Sequence, residues 1–595
     1  PYKDDVPSNI GNKKSKEYVK GSKGVIKYTL EGKYIKTYSS ISLAAKENNI
    51  KNIDIINCLK GKYKQSHGYK WKAVNKGDAK ATYGVELKSE ASSVVNEGTL
   101  TATRHSARIE AQTTATNSGV ITAGTAASII AGTSATNTAA MTAGTNASIT
   151  AGASVTNSGT MTANNGNASI TAQEAVNNSG AMNASAITSI AAGTTADNSG
   201  KMVAGTDATI NAAGNIRNEG AMTANGGKVE IKSTEGAITN TATAVLEAKG
   251  GNVTLQSKKE LENKGDAKAS ADVVLKSLES SVANAGNLNA TGGTSITAKT
   301  DARNSGTINA TIGNASIAAD ASVNNSGTMT AGTAASITAG SFATNTAAMT
   351  AGTNASITAV EEITNKGELT AKTGNAVIRS TAKGVENSGA MTAGRDATIN
   401  AVGNITNNGA MTATNGSAAI TSTKGTVVNA ATGTMTAGTY ARITADQDIT
   451  NNAVITANGG DASISSTKGS IENTASVYAV DYVSLSALDD ITNSGSLTAG
   501  TSASITAGEA VTNSGTVTAN EGNVIITSAN SGITNTETAD LLAKKGNVVL
   551  HSKGTLDNAG DIEAKLGSIS LEAGYDPAEE DQDDQVNAII INTGN

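Results

Sequence analysis

One Cys, one Phe, one Trp and three Pro in 595 residues remove several routes to a stable protein. A single Cys58 cannot build an internal disulfide framework. Aromatic residues at 2% of the chain exclude a succession of aromatic-rich globular cores, although the length would allow several domains. No apolar run is long enough for a transmembrane helix. His67, His105 and His551 stand far apart, and none heads an H-x-x-H or H-E-x-x-H pattern. Cys58 falls on the apolar face of an expected helix and reads as a packed thiol rather than a nucleophile. No arrangement calls for a metal or a cofactor. The chain is therefore read as non-enzymatic. No secretory leader is visible, and because the sequence begins at Pro1 this assigns no compartment.

What the chain has instead is alternation. In Asn137–Gly159, N-T-A-A-M-T-A-G-T-N-A-S-I-T-A-G-A-S-V-T-N-S-G, Met141, Ala143, Ala147, Ile149, Ala151 and Val155 all stand an even number of residues from Asn137. An extended chain sends such positions to one face. The intervening Thr and Ser are good strand residues that water can solvate. Each repeat is thus expected to form two or three short strands with one buried face.

The reference Asn recurs 24 times from Asn75 to Asn558, a mean period of 21 residues with spacings of 20 to 23. A fixed period in this range marks a solenoid, and the strand chemistry selects a parallel β-helix over helical repeats. Stacking puts Met or Leu, then Ile or Val, over their counterparts, and Asn over Asn. Amides repeated at the strand spacing can hydrogen-bond along the column. Extra residues fall at Gly- and Lys-containing corners such as Thr423-Lys424-Gly425. Two dozen coils at ~4.8 Å each give an expected stiff cylinder on the order of 110 Å long.

Charge divides the chain. Residues 1–74 hold 16 Lys against six Asp/Glu, a net +10, whereas the whole chain is −6, leaving −16 for residues 75–595. A basic block points to nucleic acid or another anionic surface. Residues 1–22 read as a linker or the remnant of an upstream module. From residue 23, K-G-V-I-K-Y-T-L-E-G-K-Y-I-K-T-Y reads as two strands turning at Glu31-Gly32. A helix follows, capped by Ser39 or Ser40, with Ile41, Ala44 and Ala45 on one face. After a turn at Ile50-Lys51-Asn52, a second helix buries Ile55, Cys58 and Leu59, and Gly61 stops it. This is a helix-turn-helix pattern whose second helix is the one able to enter a major groove. Lys51, Lys60, Lys62 and Lys64 are the candidates for phosphates, and Asn52, Asp54 and Asn57 for base edges. Tyr69 and Trp71 read as core aromatics.

Residues 23–74 resemble the type 1 nuclease-associated modular DNA-binding domain attached to homing endonucleases. The resemblance rests on Tyr28, Gly32, Tyr38, Ser40-Ile41 with Ala44-Ala45, Ile50, Cys58-Leu59-Lys60-Gly61-Lys62 and the closing Gly68-Tyr69-Lys70-Trp71. It implies a DNA-binding accessory, with the second helix and the Lys-rich loop after Gly61 on DNA. From Asn75 the repeats N-S-G-x-[ML]-T-A-G and A-S-I-T-A resemble the shaft repeats of filamentous haemagglutinin-type adhesins. That resemblance implies a long right-handed parallel β-helix.

The expected organisation is an upstream remnant at 1–22, a small α+β helix-turn-helix module at 23–74, about 24 β-helical coils at 75–575 and an acidic tail at 576–595. Overall the fold class is all-β. The acidic pairs Asp446-x-Asp448 and Asp489-Asp490 fall at coil corners and are weak cation candidates without the calcium-coil pattern. The expected function is a structural or adhesin-like β-helical rod carrying a basic DNA-binding module, with DNA as the partner of residues 23–74. Glycans, surfaces or lateral self-association are open to the shaft. Two alternatives stand beside it. One is a secreted or virion-surface adhesin with no DNA role, and the other is a homing-endonuclease relative whose nuclease is absent from this chain. The first implies an extracellular setting and a working DNA-binding module an intracellular one.

Overall fold

The computed structural model describes residues 23–28, 34–38, 40–59, 65, 70–574 and 589–593. It separates into two units, Pro1–Ala271 and Asp272–Asn595. The chain is all-β, a parallel β-solenoid of about 24 turns with coils of about 21 residues.

In the first unit a coil consists of three strands, as in Ala135–Asn137, Met141–Ala143 and Ala147–Ala151. Every even position that the alternation assigns to the interior is buried there: Met141, Ala143, Ala147, Ile149, Ala151 and Val155 are each at most 2% exposed. Like stacks on like. Met141 pairs with Met161, Ile149 with Ile170 and Asn137 with Asn157. In this coil the small Ala147 and Ala151 flank Ile149, which suits a narrow, close-packed interior.

The Asn column closes one corner. Asn157 is fully buried. Its Nδ2 donates to Asn178 Oδ1 at 2.7 Å and to the Gly159 carbonyl at 2.9 Å, while its Oδ1 accepts from Asn137. Both N–H bonds and the carbonyl are thus satisfied, which is the condition for burying an amide. The corners stack closely: a Cβ built on Gly180 would lie 2.1 Å from the Gly159 carbonyl oxygen, so the backbones approach to a distance that glycine permits.

The unit begins with a small α+β module. Strands β1 (Lys23–Tyr28) and β2 (Tyr34–Tyr38) form an antiparallel hairpin. Helices α1 (Ile41–Glu47) and α2 (Asn52–Leu59) follow, then β3 (Lys70–Asn75). β3 runs antiparallel to β1 on one side. Past β4 (Ala79–Ala81) and β5 (Val85–Ser89), it meets β6 (Val94–Asn96) in parallel on the other, with Asn75 opposite Asn96. The last strand of the module is therefore the first rung of the solenoid, and β1 and β2 cover its outer edge.

The second unit repeats the same coil, for example Ala343–Asn345, Met349–Ala351 and Ala355–Ala359. Its Asn column runs from Asn284 through Asn558. The wider corners follow a Ser, although Ser552 leads to Leu556 in four residues as Ala does. Where the long strand ends in Ala, the next strand begins four residues on, as from Ala401 to Ile405. Ser422 precedes Val427 by five. Its Oγ donates to the Gly403 carbonyl at 2.7 Å and accepts from Gly425 N–H at 2.9 Å. Ser466 repeats this with Gln447 and Gly469. The hydroxyl supplies the bonds that an extra corner residue would otherwise leave unmade.

Residues 575–588 lie outside the described residues. Within the segment read as an acidic tail, Ile590–Asn592 forms a further strand. It pairs in parallel with Leu556–Asn558, and Asn558 Nδ2 donates to Asn592 Oδ1 at 2.8 Å.

Candidate nucleic-acid interface

The module places its helices by a short chain of local bonds. Ser40 caps α1, its Oγ accepting from Leu43 N–H at 3.1 Å. Ile41, Ala44 and Ala45 turn inward onto Val25, Tyr38, Ile55 and Cys58, the core read from the helical spacing. Asn48 ends α1. Its Nδ2 donates to the Tyr38 hydroxyl at 2.8 Å and to the Ala44 carbonyl at 2.7 Å, and its Oδ1 accepts from Lys27 Nζ. Asn49 then takes φ of 53°, a left-handed conformation that Asn tolerates, and the chain reverses into α2. Cys58 is buried, 5% exposed, within this core.

The residues expected to contact DNA divide into two groups. Lys51 and Asn52 are exposed at the start of α2, and Asp54 and Asn57 are partly buried further along it. At 3.6 residues per turn, Asp54 and Asn57 share one arc, whereas Asn52 lies on another. Asn52 Nδ2 is held by Ser42 Oγ at 3.2 Å, which ties the start of α2 to α1. Lys60, Lys62 and Lys64 lie outside the described residues, as do Tyr69, Gly61 and the Glu31-Gly32 turn.

Neighbouring charges temper the basic surface. Lys36 Nζ lies 2.5 Å from Glu47 Oε2 and 5.2 Å from the Tyr38 ring centroid, and the Glu47 bond raises the Lys36 pKa above its ordinary value. Burial pushes the Lys72 ammonium below its ordinary value. Sequence reasoning named neither residue. The available signal was the alternation of Lys70 and Lys72 along β3 and the lone Lys36 within β2.

The acidic corner pairs serve the fold. Asp448 Oδ1 accepts from Ser470 N–H and Asp490 Oδ1 from Ala510 N–H, both at 2.9 Å. Asp446 is engaged by Lys468 and Thr467 at 3.0 Å each, which hold its pKa below the usual carboxylate range. Each of these Asp residues pins the next coil. Among the described residues no group of three or more His, Cys, Asp or Glu is placed to hold a metal ion. No helix among them is long and apolar enough to cross a membrane.

Fold and surface together define a parallel β-solenoid with a small helical module built onto its first rung. Comparison of the chain with protein-family models, curated proteins and solved structures finds no match.

Proposed function

We propose that this chain is a structural, adhesin-like scaffold and that its N-terminal module attaches the scaffold to DNA. The observation that carries the scaffold reading is the interior, which is lined by apolar columns and a buried column of hydrogen-bonded Asn. The outward positions, by contrast, are mostly Thr, Ser and Asn. Such coils present polar, regular faces suited to display or tethering. The DNA reading is favoured by Lys51 and Asn52, exposed at the start of α2, and by the net +10 of residues 1–74.

A salt titration of the full chain on duplex DNA tests this. Each lysine that neutralises a phosphate contributes about −0.9 to the slope of log K against log salt. Replacing Lys51, Lys60, Lys62 and Lys64 together by Ala should therefore flatten the slope by roughly 3 to 4. No binding at 50 mM salt, or a slope unchanged in the quadruple variant, refutes the DNA reading and leaves the scaffold without a nucleic-acid role.

A further inference from the structure

The two ends of the solenoid differ. At the first coil, which follows directly on the module, the interior positions Ala79 and Val85 are at most 3% exposed. At the other end interior positions are uncovered. Ile569 is 48% exposed, whereas Val548, its counterpart one coil earlier, is fully buried. Leu566, at the adjoining corner, is 77% exposed, and on the outward face of the last strand Ile591, opposite Asp557, is 43% exposed. Strands Asp561–Ala564, Ile569–Ala573 and Ile590–Asn592 each pair on one side only among the described residues. Open strand edges beside uncovered apolar side chains are a template for further pairing.

The matching edge is on the module. Among the described strands β2 pairs with β1 alone. β2 is antiparallel to β1, which is antiparallel to β3, so β2 runs in the same sense as the solenoid strands that β3 joins. Ile590–Asn592 likewise runs parallel to its own sheet. A strand from the uncovered end would therefore meet β2 in parallel, the pairing used throughout the solenoid. Ile35 and Leu43 are exposed on the module, at 40% and 39%. Charge favours the same match. Residues 1–74 carry +10, whereas residues 555–595 hold ten Asp/Glu against one Lys, a net −9. Opposite fields of this size steer association.

We infer that copies of this chain join head to tail, the strand Ile590–Asn592 of one copy adding to the open edge of β2 in the next. Such a contact is heterologous and does not close on itself, so it propagates. It stands independently of the DNA reading.

Analytical ultracentrifugation of the full chain over a concentration series tests it. At low salt the mass should rise past twice the 59.1 kDa of one chain. It should fall toward the single chain at 1 M salt, where the screening length drops to about 3 Å. A tail variant, Leu566→Lys with Ile591→Lys, and a head variant, Ile35→Lys with Leu43→Lys, should each stay monomeric. All four side chains are exposed, and circular dichroism and thermal melting are expected to match the parent. An equimolar mixture of the two variants should form a complex of two chains and stop there, since one intact head meets one intact tail. A monomer at every concentration and salt overturns the inference. Growth that survives both variants, or a two-chain species abolished by the tail variant alone, overturns it as well.

Discussion

Replacing Asn365 by Ala probes the column that unites the second unit. Asn365 is fully buried. It accepts from Asn345 Nδ2 and donates to Asn387 Oδ1, both at 2.8 Å, and to the Gly367 carbonyl at 2.9 Å. The substitution strips a partner from three polar groups in neighbouring positions. A buried group left unsatisfied costs about 1–3 kcal/mol, and neighbouring losses are not additive, so the expected destabilisation is about 3–6 kcal/mol. Asn365→Asp should cost more, because the carboxylate cannot donate to Asn387 or Gly367 and carries a charge into a buried column. The outward neighbour Thr364 supplies the control, and Thr364→Ala should shift stability by no more than about 0.5 kcal/mol. Urea unfolding followed by far-ultraviolet circular dichroism gives the difference. Because coils contact only their neighbours, amide hydrogen exchange is measured beside it, and protection should fall first in the coils of Asn345, Asn365 and Asn387. If Asn365→Ala costs no more than Thr364→Ala, the column does not hold the coils together.

Ser422→Ala leaves the wide corner without the Gly403 and Gly425 bonds and should cost about 1–2 kcal/mol by urea unfolding. Ser40→Ala removes the α1 cap and should cost about 0.5–2 kcal/mol, seen as faster exchange in α1 with the distant coils unchanged. Glu110 has its pKa held below the ordinary range, first by Lys88 and then by Arg108. A depressed folded value means that its contribution is complete above the unfolded value of about 4.3 and is lost as pH falls through the lower folded one. Glu110→Gln should therefore flatten the loss of stability on acidification below about pH 4. An equal acid slope in both proteins would show the carboxylate to be uncoupled from folding.

The coil was legible because it repeats. Period 2 placed Met141, Ile149 and Val155 inside, and a column of Asn at fixed spacing implied an amide ladder. Less legible were features set by contacts between coils. The difference between Ala401 and Ser422 at the end of the long strand looks conservative in sequence, yet at the wider corner the Ser422 hydroxyl reaches a carbonyl of the previous coil. Asp448 and Asp490 resemble cation ligands until the backbone N–H of the following coil is placed beside each. The rung Ile590–Asn592 escaped the period because Asn592 lies 34 residues beyond Asn558, across an acidic run. In the module, helical spacing gave the buried Ile41, Ala44, Ala45, Ile55 and Cys58. Local pattern did not show that β3 would also serve as the first solenoid rung, which depends on a partner strand about twenty residues away. Of the DNA candidates, Lys51 and Asn52 are exposed as a surface role requires. The Asn52–Ser42 bond is a tertiary contact that helical periodicity alone does not specify.

The central claim is the register of the stack, and engineered disulfides test it directly. Thr350 stands opposite Thr370 in the next coil, and parallel neighbours about 4.8 Å apart fall within disulfide reach. In a Cys58→Ser background, Thr350→Cys with Thr370→Cys should oxidise rapidly to an intramolecular disulfide. Thr350→Cys with Thr392→Cys, two coils apart at about 9.6 Å, should not. Equal oxidation of both pairs, or of the second alone, would contradict the stacking register on which the account rests.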